Sequence, residues 1–112
     1  MGDAGVALLA KVLPQCTALT KLELRENEIT DAGAAVLANV LPQCPALSEL
    51  DLSSNQIGDS GCVALSNVLP QCPALSNLYL QFNPFGRSVK SKLDEMTNTV
   101  QNRNGRTISI YT

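Results

Sequence analysis

The sequence predicts an α/β solenoid, a right-handed β–α superhelix with a short parallel sheet on the concave side and helices on the convex side. Three observations point there. The chain of 112 residues matches itself at a shift of 28. Within each period the hydrophobic spacing switches from strand-like alternation to the i, i+4, i+7 pattern of a helix face. The phrase LPQC recurs at 13–16, 41–44 and 69–72, where each helical stretch turns back to the next strand. One strand and one helix cannot cover their own leucines, so neighbouring units must stack. Strands about 4.8 Å apart, beside helices that need about 8–10 Å, then curve the stack with the sheet inside.

Taken in order, residues 1–19 are a partial repeat, a helix over 3–13 whose own strand is missing. Met1 falls in phase with Ile29 and Ile57. Either the chain continues a longer array, or another molecule covers this end. The first full repeat, 20–47, opens with a strand over 20–25, where Leu22 and Leu24 alternate with polar residues. Its helix spans 31–41, with Gly33, Leu37, Val40 and Leu41 on one face. The second, 48–75, copies it with a strand over 48–53 and a helix over 59–69. Asp3, Asp31 and Asp59 stand where a carboxylate can cap the N–H groups of the helix that follows. Pro14, Pro42 and Pro70 are expected to end the helices, because a proline disfavours helical geometry at the residue before it. Asn27, Asn55 and Asn83 close each strand and are expected to hydrogen-bond the departing turn as a ladder. The last unit, 76–112, has a strand over 76–81, a longer polar helix over 86–102, an NRNG turn and a terminal strand, RTISIYT. There Ile108 and Ile110 take the places of Leu78 and Leu80, 30 residues on. A polar terminal unit is what an exposed solenoid end requires, so 84–112 reads as a C-terminal cap.

Composition narrows the function classes. Apolar residues make up 45% of the chain and aromatics only 4%, so the core must be Leu, Val, Ile and Ala. A formal net charge of −2 offers no basic footprint for nucleic acid. No apolar run approaches the roughly 18 residues of a membrane span. Met1 is followed by Gly-Asp-Ala-Gly rather than by a basic and then an apolar segment, so a cytoplasmic location is expected. The chain has no histidine, which removes the usual general base and the commonest metal ligand. Cys16, Cys44 and Cys72 share one phase of the repeat and read as reduced and buried, a structural ladder; Cys62 is out of phase. No CxxC, P-loop or triad spacing exists, so no catalytic, metal or cofactor residues are expected.

The spacing L-x-x-L-x-L-x-x-N occurs as Leu19, Leu22, Leu24, Asn27, as Leu47, Leu50, Leu52, Asn55, and as Leu75, Leu78, Leu80, Asn83. Followed each time by an amphipathic helix, it resembles the leucine-rich repeat in its 28-residue, ribonuclease-inhibitor-like subclass, as in the C-terminal domains of NOD-like receptors. The resemblance covers nearly the whole chain. It implies a non-enzymatic protein-binding module, the C-terminal part of a larger cytosolic receptor, inhibitor or scaffold. The Ran GTPase-activating protein shares this repeat class, and Arg25 sits at a strand end where a charge-stabilising arginine could be imagined. Four strands make only a small arc, however, and no motif beyond the shared scaffold is present.

Scaffold positions barely change between copies, whereas the outward strand positions do. These are Lys21, Glu49, Asn77 and Thr107; Glu23, Asp51, Tyr79 and Ser109; then Arg25, Ser53, Gln81 and Tyr111. Phe82 lies just beyond its strand. That is how a repeat protein presents a surface to another protein. Tyr79 and Tyr111 are expected as diagonal neighbours roughly 7–8 Å apart. The open edge of strand 20–25, with Leu22 and Leu24 poorly covered, could pair two-fold with a second copy, Leu24 opposite Leu24 and Glu23 facing Arg25.

Overall fold

A computed structural model describes residues 2–112; Met1, in phase with Ile29 and Ile57 by sequence, lies outside them. The chain alternates helix and strand: α1 (Gly2–Val12), β1 (Lys21–Glu23), α2 (Asp31–Val40), β2 (Glu49–Asp51), α3 (Asp59–Val68), β3 (Asn77–Tyr79), α4 (Arg87–Met96) and β4 (Ser109–Tyr111). The strands form one parallel sheet in the order β1-β2-β3-β4. Leu22, Leu50, Leu78 and Ile110 stand in one row across it, facing the helices. Leu50, Leu52, Leu78 and Leu80 are fully buried against Ile29, Leu37, Ile57 and Leu65 of the helical side. Leu22 is only half-buried because β1 is the edge strand, but Leu24 is 3% exposed. Both edge leucines are expected from the sequence to be poorly covered, but Leu24 belongs to the buried core cluster.

The helices end by tightening rather than by breaking at the prolines. Leu41 and Leu69, each followed by proline, keep helical angles of φ −54°, ψ −41° and φ −53°, ψ −43°. The chain then makes a 3-10 turn at Leu13–Gln15, Leu41–Gln43 and Leu69–Gln71. Proline is accepted there because the first positions of such a turn need no N–H. Cys44 leaves the turn, and its N–H closes it on the Leu41 carbonyl at 3.1 Å. Each in-phase cysteine thiol points back to the carbonyl four residues earlier, Val12, Val40 or Val68, at 3.4 Å. Cys44 and Cys72 are buried, but Cys16 is exposed, a correction that follows from its place at the open end of the stack. All four cysteines are free thiols. Burial pushes the Cys72 thiol up to about 11 and the Cys62 thiol up to about 12.

The carboxylates cap helices, but not their own. The Thr30 N–H and hydroxyl donate to Asp3, one repeat earlier. Asp31 Oδ1 accepts from the N–H groups of Gly58 at 2.6 Å and Gly61 at 3.0 Å, and Asp59 Oδ1 from that of Gly86 at 2.6 Å. Each carboxylate thus sits at the positive N-terminal end of the next helix and ties two repeats together. This close approach explains Gly61: a Cβ there would lie 2.6 Å from Asp31 Oδ1 and 2.7 Å from Ile57 Cγ2.

The asparagine ladder forms between repeats. Asn55 Nδ2 donates to the carbonyls of Leu24, Leu52 and Ser53, and its Oδ1 accepts from the N–H groups of Asn27 and Ile29. Asn83 repeats this one unit on, reaching Leu52 and Leu80 and accepting from Ile57. Asn27 is half-buried at the first rung and donates to the Arg25 carbonyl.

Two features of the cap differ from expectation. The helix expected over 86–102 stops at Met96, because Thr97 turns extended (φ −60°, ψ 133°) and Asn98 is left-handed (φ 62°). Thr, Asn and Thr are poor helix formers, and residues 98–108 instead fold back as a hairpin. Asn98 N–H donates to the Ile108 carbonyl, Ile108 N–H to that of Val100, and Asn102 N–H to that of Arg106. The hairpin is latched onto earlier turns: Asn102 Nδ2 reaches the Leu75 carbonyl, and the Arg103 guanidinium that of Gln71 at 2.8 Å. The second difference is register. Ile110, not Ile108, pairs with Leu78, so the cap spans two residues more than expected between paired positions.

Candidate functional site

The face of the sheet turned away from the helices carries two complete rows. One is Lys21–Glu49–Asn77–Ser109 and the other Glu23–Asp51–Tyr79–Tyr111. The shift in the cap therefore moves Ser109 and Tyr111 by two residues, into the rows next to those expected. Thr107 leaves the sheet altogether; it bridges Gln101 in the hairpin. Beyond the strands, Arg25 is exposed, Gln81 is half-buried, and Ser53 is buried, spending its N–H and hydroxyl on Asp51 Oδ1 at 2.9 and 2.6 Å. Ser53 is thus a support for Asp51 rather than a contact residue, which corrects its assignment to the exposed face.

Tyr79 and Tyr111 are direct neighbours, not diagonal ones. Their rings stack with centroids 4.6 Å apart and planes 9° from parallel. The Tyr111 hydroxyl reaches Asn77 Oδ1 at 3.5 Å, and Ser109 Oγ donates to Asn98 Oδ1 at 3.0 Å. Burial, the nearby Glu49 carboxylate and Tyr111 hold the Tyr79 hydroxyl above its ordinary range. Phe82 is 82% exposed and Tyr111 41% exposed. Phe82 also holds a left-handed backbone, φ 61°, at the place where Glu26 (φ 57°) and Ser54 (φ 56°) do the same. The turn after each strand demands that conformation, which is uncommon for a bulky residue. A large apolar side chain kept there, in water, serves nothing in the core.

Charge divides the face. Lys21 Nζ lies 3.3 Å from Glu23 and 3.6 Å from Glu49, which raises its pKa, Glu23 first. Asp51 stands beside Tyr79 in its row. Acidic groups therefore occupy the β1–β2 half and aromatic rings the β3–β4 half. Gln81 Oε1 is buried with no hydrogen-bond partner among the described residues. A second concavity, which sequence reasoning missed, opens between α3 and α4 over Cys62, Val63, Val89, Lys92, Leu93 and Met96. Its lining is mostly apolar, with Ser66 and Lys92 as the polar members. Among the described residues no group of three His, Cys, Asp or Glu could hold a metal ion.

The comparisons with known proteins settle the repeat class. A family model described as leucine-rich repeat matches residues 15–38 and 43–66. The chain is a leucine-rich repeat protein. The two matched leucine-rich repeats run from each Leu-Pro-Gln turn through a strand into α2 or α3. The observed sheet and helices are those of an α/β leucine-rich-repeat solenoid. Among solved structures, leiomodin-1 actin-binding site 2 superposes with a TM-score of 0.77 at 19% identity, over all of this chain and 65% of that one. The chain thus spans 65% of that structure's length. No curated protein sequence matches. Among the described residues no helix is long and apolar enough to cross a membrane.

Proposed function

We propose that the chain is a non-enzymatic protein-interaction module that binds its partner on the concave sheet face. It acts as the C-terminal part of a larger cytoplasmic receptor, inhibitor or scaffold. The observation that carries this is the contrast within the repeat: leucines, asparagines and glycines recur unchanged, while Lys21, Glu23, Glu49, Asp51, Asn77, Tyr79 and Tyr111 on one face differ from strand to strand. The exposed aromatic cluster of Tyr79, Tyr111 and Phe82 supports it, since aromatic residues dominate binding hot spots. Leucine-rich repeats serve typically as interaction modules, and the structurally similar leiomodin-1 segment is titled an actin-binding site. A photo-crosslinking residue placed at position 111 should capture a discrete partner from the native cell extract, whereas the same residue at Asn39 on the helical side should not. Capture only from position 39 would reject the concave reading.

A second reading, self-association at the β1 end, is favoured by one comparison. Leu8 is 67% and Val12 48% exposed, whereas their equivalents one repeat on, Val36 and Val40, are half-buried by the neighbouring unit. A second copy pairing antiparallel on β1 would cover them, with no nucleic acid or membrane involved. Light scattering at rising concentration should then show twice the monomer mass; a constant monomer mass rejects this reading.

A further inference from the structure

We propose that the free face of Tyr79, beside Asp51 and Glu49, is a seat for a guanidinium group, so that the partner presents an arginine side chain to the concave sheet. The inference rests on the concave-face reading and names the chemistry that face would take. The centroid separation of 4.6 Å between Tyr79 and Tyr111 matches the spacing of adjacent strands, so the rings stack along the direction that crosses the sheet. One face of Tyr79 is therefore covered by Tyr111. Its other face looks along the row toward Asp51, its paired position on β2.

What stands at that side is short and acidic. Asp51 and Ser53 are small next to a tyrosine ring, so the space above them is walled by Tyr79. The two bonds that fix Asp51 both use Oδ1, which orients the carboxylate and leaves Oδ2 to an incoming donor. Burial acts first on the Tyr79 hydroxyl, the Glu49 carboxylate raises it further, and Lys21, 3.6 Å from Glu49, opposes them, so an incoming guanidinium would share Glu49 with Lys21. Ring face and two carboxylates favour a cation with several N–H donors. A planar guanidinium can extend the tyrosine stack as a third layer while forking a carboxylate, which a compact ammonium cannot do.

The test uses the full chain, isotopically labelled, titrated with three capped pentapeptides, Gly-Arg-Gly-Arg-Gly and its lysine and glutamate counterparts, followed by NMR. The arginine peptide should shift the Asp51, Tyr79 and Tyr111 signals saturably and bind at least about fivefold more tightly than the lysine peptide. Tyr79→Ala should weaken it at least about fivefold while Tyr79→Phe keeps it. Asp51→Asn, which retains the acceptor for Ser53, should also weaken it. Equal binding of the arginine and lysine peptides, no binding, or indifference to Tyr79→Ala would overturn the guanidinium seat. Shifts of the same sheet signals by the glutamate peptide alone would overturn it while sparing the concave face as a binding surface. Saturable shifts confined to α2 and α3 would overturn both.

Discussion

Asn55→Ala should be among the most damaging substitutions in the chain. The side chain accepts from the N–H of Ile29, a fully buried residue, at 3.0 Å, and donates to the carbonyl of Leu24, a residue 3% exposed, also at 3.0 Å. Its other carbonyl acceptors keep partners when it is gone: Leu52 still receives Asn83 Nδ2, and Ser53 still receives the Glu26 N–H. Two buried backbone groups are therefore orphaned, at about 1–3 kcal/mol each, for a loss of about 2–6 kcal/mol. A chain of 112 residues holds in total only about 6–17 kcal/mol at about 0.05–0.15 kcal/mol per residue. The variant should fold, but with its urea midpoint far below that of the parent, read by far-ultraviolet circular dichroism. Asn83→Ala, at a half-buried side chain, should cost less, and Asn67→Ala on the exposed face of α3 should change stability by no more than about 0.5 kcal/mol. If Asn55→Ala costs under about 1 kcal/mol, or no more than Asn67→Ala, the ladder is not what joins the repeats.

Gly61→Ala should cost about 1–3 kcal/mol by overpacking against Asp31 and Ile57, and Asp31→Ala in the same chain should relieve part of it; additive losses in that double-mutant cycle would contradict the contact. Thiol titration without reductant should find four free thiols in denaturant, but in the native protein only Cys16 should react quickly, since burial holds Cys44, Cys62 and Cys72 protonated; two thiols missing in denaturant would contradict this. The Thr30 hydroxyl and N–H hold the Asp3 carboxyl below its ordinary value of 3.8, and the Thr112 hydroxyl does the same for Asp94. A depressed folded pKa gives stability that is present above the unfolded value and lost as pH falls through the folded one. Melting temperature should accordingly fall as pH drops below about 4, and Asp3→Asn should flatten that fall; an unchanged profile would deny Asp3 its capping role.

Much of this was legible because a repeat states its rules several times. The strands at Leu22, Leu50 and Leu78, and the helix starts at Asp31 and Asp59, follow from two hydrophobic periods that cannot be confused. The misreadings share a cause. Shifts of 30 and 32 residues both keep Ile110 pointing inward, because side chains alternate with period two, so alternation could not choose the β4 register or find the Tyr79–Tyr111 stack. A strict period likewise cannot say whether Asp31 caps its own helix or the next, since each copy offers both. The end of α4 depended on a hairpin closing from the far side, through Ile108 and Val100, which local propensity does not see. Cys16 is followed by Thr17 where Cys44 and Cys72 are followed by proline, and among the described residues it lies in the outermost unit, so its exposure is not copied by the period. On the outward face Ser53 is buried and bonded to Asp51, Thr107 lies outside the sheet, and Ser109 and Tyr111 stand in other rows than the period implied.

The concave face is tested most directly by measuring, by calorimetry, the affinity of the captured partner for the parent chain and for Tyr79→Ala combined with Tyr111→Ala. Removing the stacked rings should weaken binding by at least about 2 kcal/mol, while the urea midpoint changes little because Tyr111 is exposed and neither ring belongs to the core. Undiminished affinity in the double variant, or a loss produced instead by substituting Lys11 and Asn39 on the exposed helical side, would contradict the assignment.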